Sequence, residues 1–144
     1  MWKQLIESYT SDFTSFPPTI AEEIANAEQT LKIQFTDELK SLLTESNGFQ
    51  ARYGSGLIWS VQNIVQQNLE YRQYPDFKSL YMPFDHLLFF SDTGCGDLYG
   101  YAIRDGVIHQ EDIFRWDHET DSRINVALGL RDYIDRFFND KLEL

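Results

Sequence analysis

Residues 89–119, FFSDTGCGDLYGYAIRDGVIHQEDIFRWDHE, alternate short apolar stretches with Gly- and Asp-rich turns. That is the pattern of antiparallel strands joined by tight connections. Helical patterns precede this run and another follows it. Helices, then consecutive strands, then a helix is the order of an α+β domain, not of a βαβ alternation. The expected fold is therefore one domain over residues 1–144, with an antiparallel sheet, N-terminal helices and a long C-terminal helix.

The helices can be placed from periodicity and caps. Trp2, Leu5, Ile6, Tyr9 and Phe13 form one helical stripe, which predicts a first helix over 2–13. Pro17-Pro18 ends it. Thr19 with Glu22 has the spacing of a capping box, so a second helix is expected up to residue 31 with Ile20, Ile24, Ala27 and Leu31 inward. Thr36, followed by Asp37 and Glu38, suits the start of a third helix, with Leu39, Leu42 and Leu43 buried and Asn47-Gly48 as a left-handed cap. Residues 49–56, containing Gly54 and Gly56, read as a loop and 57–59 as a short strand. A polar-rich helix follows from Val61 to Arg72, and 71–85 reads as irregular.

Within the strand region, 87–90 is apolar throughout and is expected to be a central strand covered on both faces. Residues 98–103 come next, with Tyr99, Tyr101 and Ile103 on one side. Arg104-Asp105-Gly106 predicts a hairpin turn, and 107–109 and 113–116 supply returning strands. Ser122 is placed as the cap of the last helix, running to 138 with Ile124, Ala127, Leu128, Leu130, Ile134, Phe137 and Phe138 inward.

The formal net charge of −11 repels polyanions, which argues against a nucleic-acid binder. One cysteine permits no internal disulfide and no thiolate zinc site. The first residues resemble no signal peptide and no apolar run is long enough to span a bilayer, so a cytoplasmic protein without membrane contact is expected. The acid is unevenly spread. Between 92 and 121 there are Asp92, Asp97, Asp105, Glu111, Asp112, Asp117, Glu119 and Asp121, against Arg104 and Arg115.

No complete catalytic motif accompanies this acid. Gly94-Cys95-Gly96 lacks the spacing and the lysine of a phosphate loop and reads as a turn. Cys95, His118 and Asp97 or Asp117 are the residue types of a cysteine-hydrolase triad, but a lone cysteine is more often a small buried hydrophobe. His109, His118, Asp117, Glu119 and Asp121 match no metal-binding spacing, and no cofactor is called for. The alternative is a recognition surface on which Asp92, Asp97, Asp117 and Glu119 steer a basic protein while Tyr99, Tyr101 and Trp116 pack against it. Against this stands the plainer reading of a solvated acidic face, with Trp116 and one tyrosine in the core.

Three pieces of the chain resemble the SUKH superfamily, which includes fungal cell-wall synthesis regulators and bacterial immunity proteins. The first is Pro18-Thr19-Ile20 through Glu28, on to Ile33-Gln34-Phe35-Thr36-Asp37-Glu38-Leu39 and Ser46-Asn47-Gly48. The second is Phe90-Ser91-Asp92 with Gly96-Asp97-Leu98-Tyr99. The third is Ile113-Phe114-Arg115-Trp116-Asp117-His118-Glu119. Together they cover about residues 17–140, in order. One departure is Phe35-Thr36 where the family usually has a proline, and 1–16 looks like an added helix. The resemblance implies helices packed around a twisted antiparallel sheet, with no catalytic machinery. It implies a protein partner: a cognate toxin, often a nuclease, for bacterial relatives, or a regulatory or scaffolding role as in fungal ones.

Overall fold

Thr36 caps the third helix as its sequence requires: its Oγ1 accepts a hydrogen bond from the Leu39 N–H at 3.1 Å. Asp37 and Glu38 occupy the first turn, where carboxylates favour the helix dipole. A computed structural model describes residues 1–51 and 56–142. In it, helices α1 (Trp2–Glu7), α2 (Ala21–Leu31), α3 (Asp37–Glu45), α4 (Val61–Gln73) and α5 (Pro75–Leu80) precede the main sheet, and α6 (Leu130–Phe138) follows it. The main sheet is antiparallel, in the order β4 (Leu87–Asp92), β5 (Leu98–Ala102), β6 (Ile113–Trp116), β7 (Arg123–Ala127). A smaller antiparallel sheet joins β1 (Thr14–Ser15), β2 (Phe49–Gln50) and β3 (Gly56–Ile58). The α+β class and the closing helix are as expected.

Several boundaries differ from the sequence expectation, each for a physical reason. The first helix ends at Glu7 rather than at 13. Beyond it, Tyr9 donates its hydroxyl to Asp135 Oδ1 at 2.6 Å and stacks on Phe138, and β1 pairs with β2. Helix α2 starts after Ile20, not Thr19. Only half of a capping box forms, Glu23 accepting from the Ile20 N–H at 3.4 Å, because Ile20 has no oxygen to return. Ile20 is consequently exposed and Thr19 is buried. Helix α3 ends at Ser46 in an extended conformation, and the left-handed residue, Gly48 at φ +91°, comes two positions later. Of the expected loop at 49–56, Phe49 and Gln50 form β2, while Gly54 lies outside the described residues.

Residues 71–85, irregular by sequence, contain α5, begun by Pro75 at its first position, where the missing N–H costs nothing. Residues 107–109 form no strand; Val107 makes an isolated bridge to Arg104. Ser122 caps no helix. Its neighbours Arg123–Ala127 instead pair with β6, leaving Ile124 and Leu128 exposed, and α6 begins only at Leu130.

Strand β4 is buried on both faces but lies at one side of its sheet rather than in the middle. Its backbone is satisfied from elsewhere. Asn68 of α4, itself buried, accepts from the Phe89 N–H at 2.8 Å through Oδ1 and donates to the Phe89 carbonyl at 2.8 Å through Nδ2. The next carbonyl, of Phe90, accepts from the Trp59 N–H at 2.9 Å. Ser91 Oγ and Tyr133 Oη donate to the carbonyls of Gly56 and Leu57, so side chains tie β3 to β4.

The core divides by sheet face. Phe89 and Trp116 pack with Tyr71 and Phe84 from α4 and the segment after α5. Phe90, Tyr99 and Tyr101 face the other way, toward Tyr133 of α6. Tyr99, Tyr101 and Trp116, expected at an exposed binding surface, are therefore core residues, only 4%, 0% and 2% exposed. Strand alternation that presents one of these faces to α6 presents the other to α4, so neither faces solvent.

Candidate functional site

Because β4 to β7 run antiparallel, the β4–β5 turn and the β6–β7 turn emerge at the same end of the sheet. The register makes this concrete, Leu98 lying opposite Trp116 and Trp116 opposite Arg123. Asp92, Asp97, Asp117 and Glu119, which the sequence offered as steering acids, are thus brought together at one end, along with Asp121.

Most of these carboxylates are engaged within the protein. Asp92 accepts from the Trp59 indole N–H at 2.6 Å and from the Gly94 N–H at 2.8 Å. Asp117 Oδ1 holds its own turn through the Glu119 N–H at 2.8 Å. Asp121 accepts from the Trp116 indole at 2.8 Å, from Arg123 at 3.0 Å and from the Met82 N–H at 2.9 Å. Burial pushes the Asp121 carboxyl up, but the Met82, Trp116 and Arg123 donors outweigh it and hold it below the usual carboxylate range. Glu119 is exposed.

Asp97, buried, is the hub that joins the two turns. Its Oδ2 accepts from Arg115 Nε at 3.1 Å and from a terminal guanidinium nitrogen at 2.9 Å. Its Oδ1 accepts from the His118 N–H at 3.1 Å, and His118 Nδ1 lies 2.6 Å from the same oxygen. Burial raises the Asp97 carboxyl, but the bonds from His118 and Arg115 together bring it below its ordinary value. The same hydrogen bond, reinforced by the charges of Asp97, Glu119 and Asp117 and opposed by burial, holds the His118 imidazole above its ordinary value. Gly96 makes room for this ring: at φ +105°, a Cβ there would sit 2.9 Å from the imidazole.

The triad reading finds two of its three members in place. His118 is oriented by Asp97 as a general base would be, but among the described residues no hydrogen bond joins the Cys95 thiol to it. Cys95 is exposed, contrary to the buried hydrophobe expected, because it lies at the tip of the β4–β5 turn, where its N–H donates to Thr93 Oγ1. Asp97, Asp117 and His118 bring three ligand atoms within 4.8 Å of one another. A metal there would have to displace the His118 bond from Asp97 and would face the Arg115 charge. His109 lies elsewhere, beside the Arg104 carbonyl.

Sequence reasoning found these acids but missed what Asp97 holds. Asp97 and His118 are 21 positions apart, and only the pairing of Leu98 with Trp116 brings them together. Nothing in composition announces that register.

A family model described as SUKH_6, SMI1-KNR4 cell-wall, matches residues 21–134, and the chain belongs to that family. The match begins at the first residue of α2 and ends within α6. No curated protein matches the chain. That family is, in general, one of non-enzymatic, protein-binding domains. Among the described residues no helix is long and apolar enough to cross a membrane.

Proposed function

We propose that this member of the SUKH_6 family is a cytoplasmic immunity protein that neutralises a basic toxin, a nuclease being the best match, by covering its substrate-binding surface. One observation carries the reading: two acidic turns stand at one end of the sheet, locked together through Asp97, Arg115 and His118. Carboxylates already fixed by their own framework lose little freedom on binding. A net charge of −11 draws a cationic partner toward them. Since Tyr99, Tyr101 and Trp116 are core residues, packing against the partner falls to side chains beside the turns. Leu80 and Met82 are exposed, and the Met82 N–H is bonded to Asp121.

The test is capture of the partner by the tagged protein at low and at high salt, followed by association kinetics with the Glu119→Lys variant. The reading expects one basic, toxic partner whose toxicity is relieved on binding, with association slowed severalfold by the variant and by salt. Capture unaffected by both would overturn it. A regulatory or scaffolding role is the second reading, favoured by the cell-wall description of the family. It expects cell-envelope or signalling partners retained at high salt.

A further inference from the structure

A cavity of about 310 Å³ lies between α4, α5 and the segment that follows α5, at the small end of the range for ligand pockets. Its wall is largely aromatic. Tyr71, Phe77, Tyr81 and Phe84 line it, with Arg72 and Lys78 as its cations and Asp85 as its carboxylate. The rings hold one another in place: Phe77 stacks on Tyr71 at 4.9 Å between centroids, and Tyr81 and Phe84 are 5.8 Å apart. The Tyr81 hydroxyl also donates to the His118 carbonyl at 2.9 Å, so the wall is fixed without a ligand.

Arg72 supplies an independent observation. The other half-buried arginines among the described residues, Arg115, Arg123 and Arg136, each pair with a carboxylate. Arg72, half-buried as they are, has no carboxylate within ion-pair distance. Its terminal nitrogens donate to the Leu31 and Leu87 carbonyls at 3.3 and 3.2 Å. Those contacts hold the guanidinium between the end of α2 and the start of β4 but do not cancel its charge. Its Nε–H is buried and has no hydrogen-bond partner, a rare condition for a buried donor. Burial pulls the guanidinium below its ordinary value, opposed by the charge of Asp85, which is itself exposed. A cation taken out of water without a counter-charge is costly, and here it borders a cavity.

We propose that this cavity binds a small carboxylate with a flat aromatic body, of the arylacetate class. Arg72 supplies the fixed positive charge for the carboxylate, and Lys78, exposed on the same wall, adds a second. Tyr71, Phe77, Tyr81 and Phe84 offer faces and edges to the aromatic body. One ring and a short acid arm suit a cavity of this size. A neutral aromatic molecule would leave the Arg72 charge unanswered, and a bare inorganic anion would leave the ring wall unused. The inference does not depend on the toxin reading, which rests on the acidic turns.

The test is an NMR titration of the full chain at neutral pH with phenylacetate, phenylacetamide and acetate. Phenylacetate should shift amides within residues 71–85. Phenylacetamide, of the same shape but uncharged, should bind about tenfold more weakly, and acetate, which lacks the ring, should also bind more weakly. Lys78→Glu should weaken phenylacetate binding severalfold, and Lys3→Glu, the same charge change on α1, should leave it unaltered. Asp85→Asn, which removes the carboxylate lining the cavity, should tighten binding. Arg72→Gln, which keeps a side-chain N–H and loses the charge, should abolish the shifts. If that variant does not fold, the three ligands and Lys78→Glu decide the matter. Equal binding of phenylacetamide or of acetate, shifts centred outside 71–85, equal loss with Lys3→Glu, weaker binding by Asp85→Asn, or a folded Arg72→Gln that binds like the parent would each overturn the site.

Discussion

Asp97 and His118 are joined twice across neighbouring turns, once through the His118 backbone N–H and once through its ring, 2.6 Å from the carboxylate. The two members of this pair titrate in opposite directions. His118 holds its proton more tightly folded than unfolded, so its contribution is fully present below its ordinary value near 6.5 and is lost as pH rises through the higher folded value. Asp97, lowered in the folded state, contributes above its ordinary value near 3.8 and loses that contribution as pH falls through the lower folded value. Urea denaturation across both ranges should show stability falling on each side. His118→Asn, whose side-chain N–H can still face Asp97, should flatten the alkaline fall and leave the acid fall in place.

Asp97→Asn tests the hub itself. An amide oxygen cannot serve Arg115 and His118 as two carboxylate oxygens do, and the substitution removes the Asp97 charge from beside a largely buried guanidinium. A loss of about 2 kcal/mol is expected, measured as a lower urea midpoint with an unchanged slope.

Asn68→Leu should be more damaging than its size suggests. It removes both partners of Phe89, stranding a buried N–H and a buried carbonyl. The expected cost is about 3 kcal/mol. Amide exchange should show the Phe89 N–H losing protection before its neighbours in β5.

Two glycine-to-alanine changes should separate sharply. At Gly100 an added Cβ would lie 2.6 Å from the Leu88 carbonyl oxygen across the sheet, backbone that cannot step aside, so Gly100→Ala should cost about 3 kcal/mol. At Gly94 nothing lies within 4 Å and only the left-handed φ of +82° opposes the change, for a loss of about 1 kcal/mol. Thermal unfolding of the pair checks the order.

Cys95 should react with a thiol-specific disulfide reagent in the native state, at the rate of an exposed thiol and without prior unfolding. Cys95→Ser should leave stability within about 0.5 kcal/mol of the parent. Protection of the thiol until denaturant is added would contradict its exposed position.

The parts of this fold that were legible were those set by local chemistry. The Thr36 cap, the Leu39, Leu42 and Leu43 stripe and the strands at Leu87, Leu98 and Ile113 depend on residues close in sequence. The failures were at places where distant chain decides. Residues 123–127 have acceptable helical spacing, yet β6 offers them a ladder and wins them. Thr19 is a better cap than Ile20 by residue type, but its N–H is taken by the Leu43 carbonyl at 2.9 Å. At the candidate site the acids were visible as a cluster, whereas their partners were not. The aromatics misled because tyrosine and tryptophan suit an interface and a core equally well, and only packing against Tyr71 and Tyr133 decides between the two.

Asn68 has a consequence beyond the stability of one strand. By filling the hydrogen-bonding positions of Phe89, and with Trp59 taking the carbonyl of Phe90, the protein closes one margin of its main sheet with pieces of itself. Fibre growth by edge-to-edge addition needs a free margin on each side of every unit. This sheet has only the β7 side left to offer, so stacking of copies in that way halts after a single step.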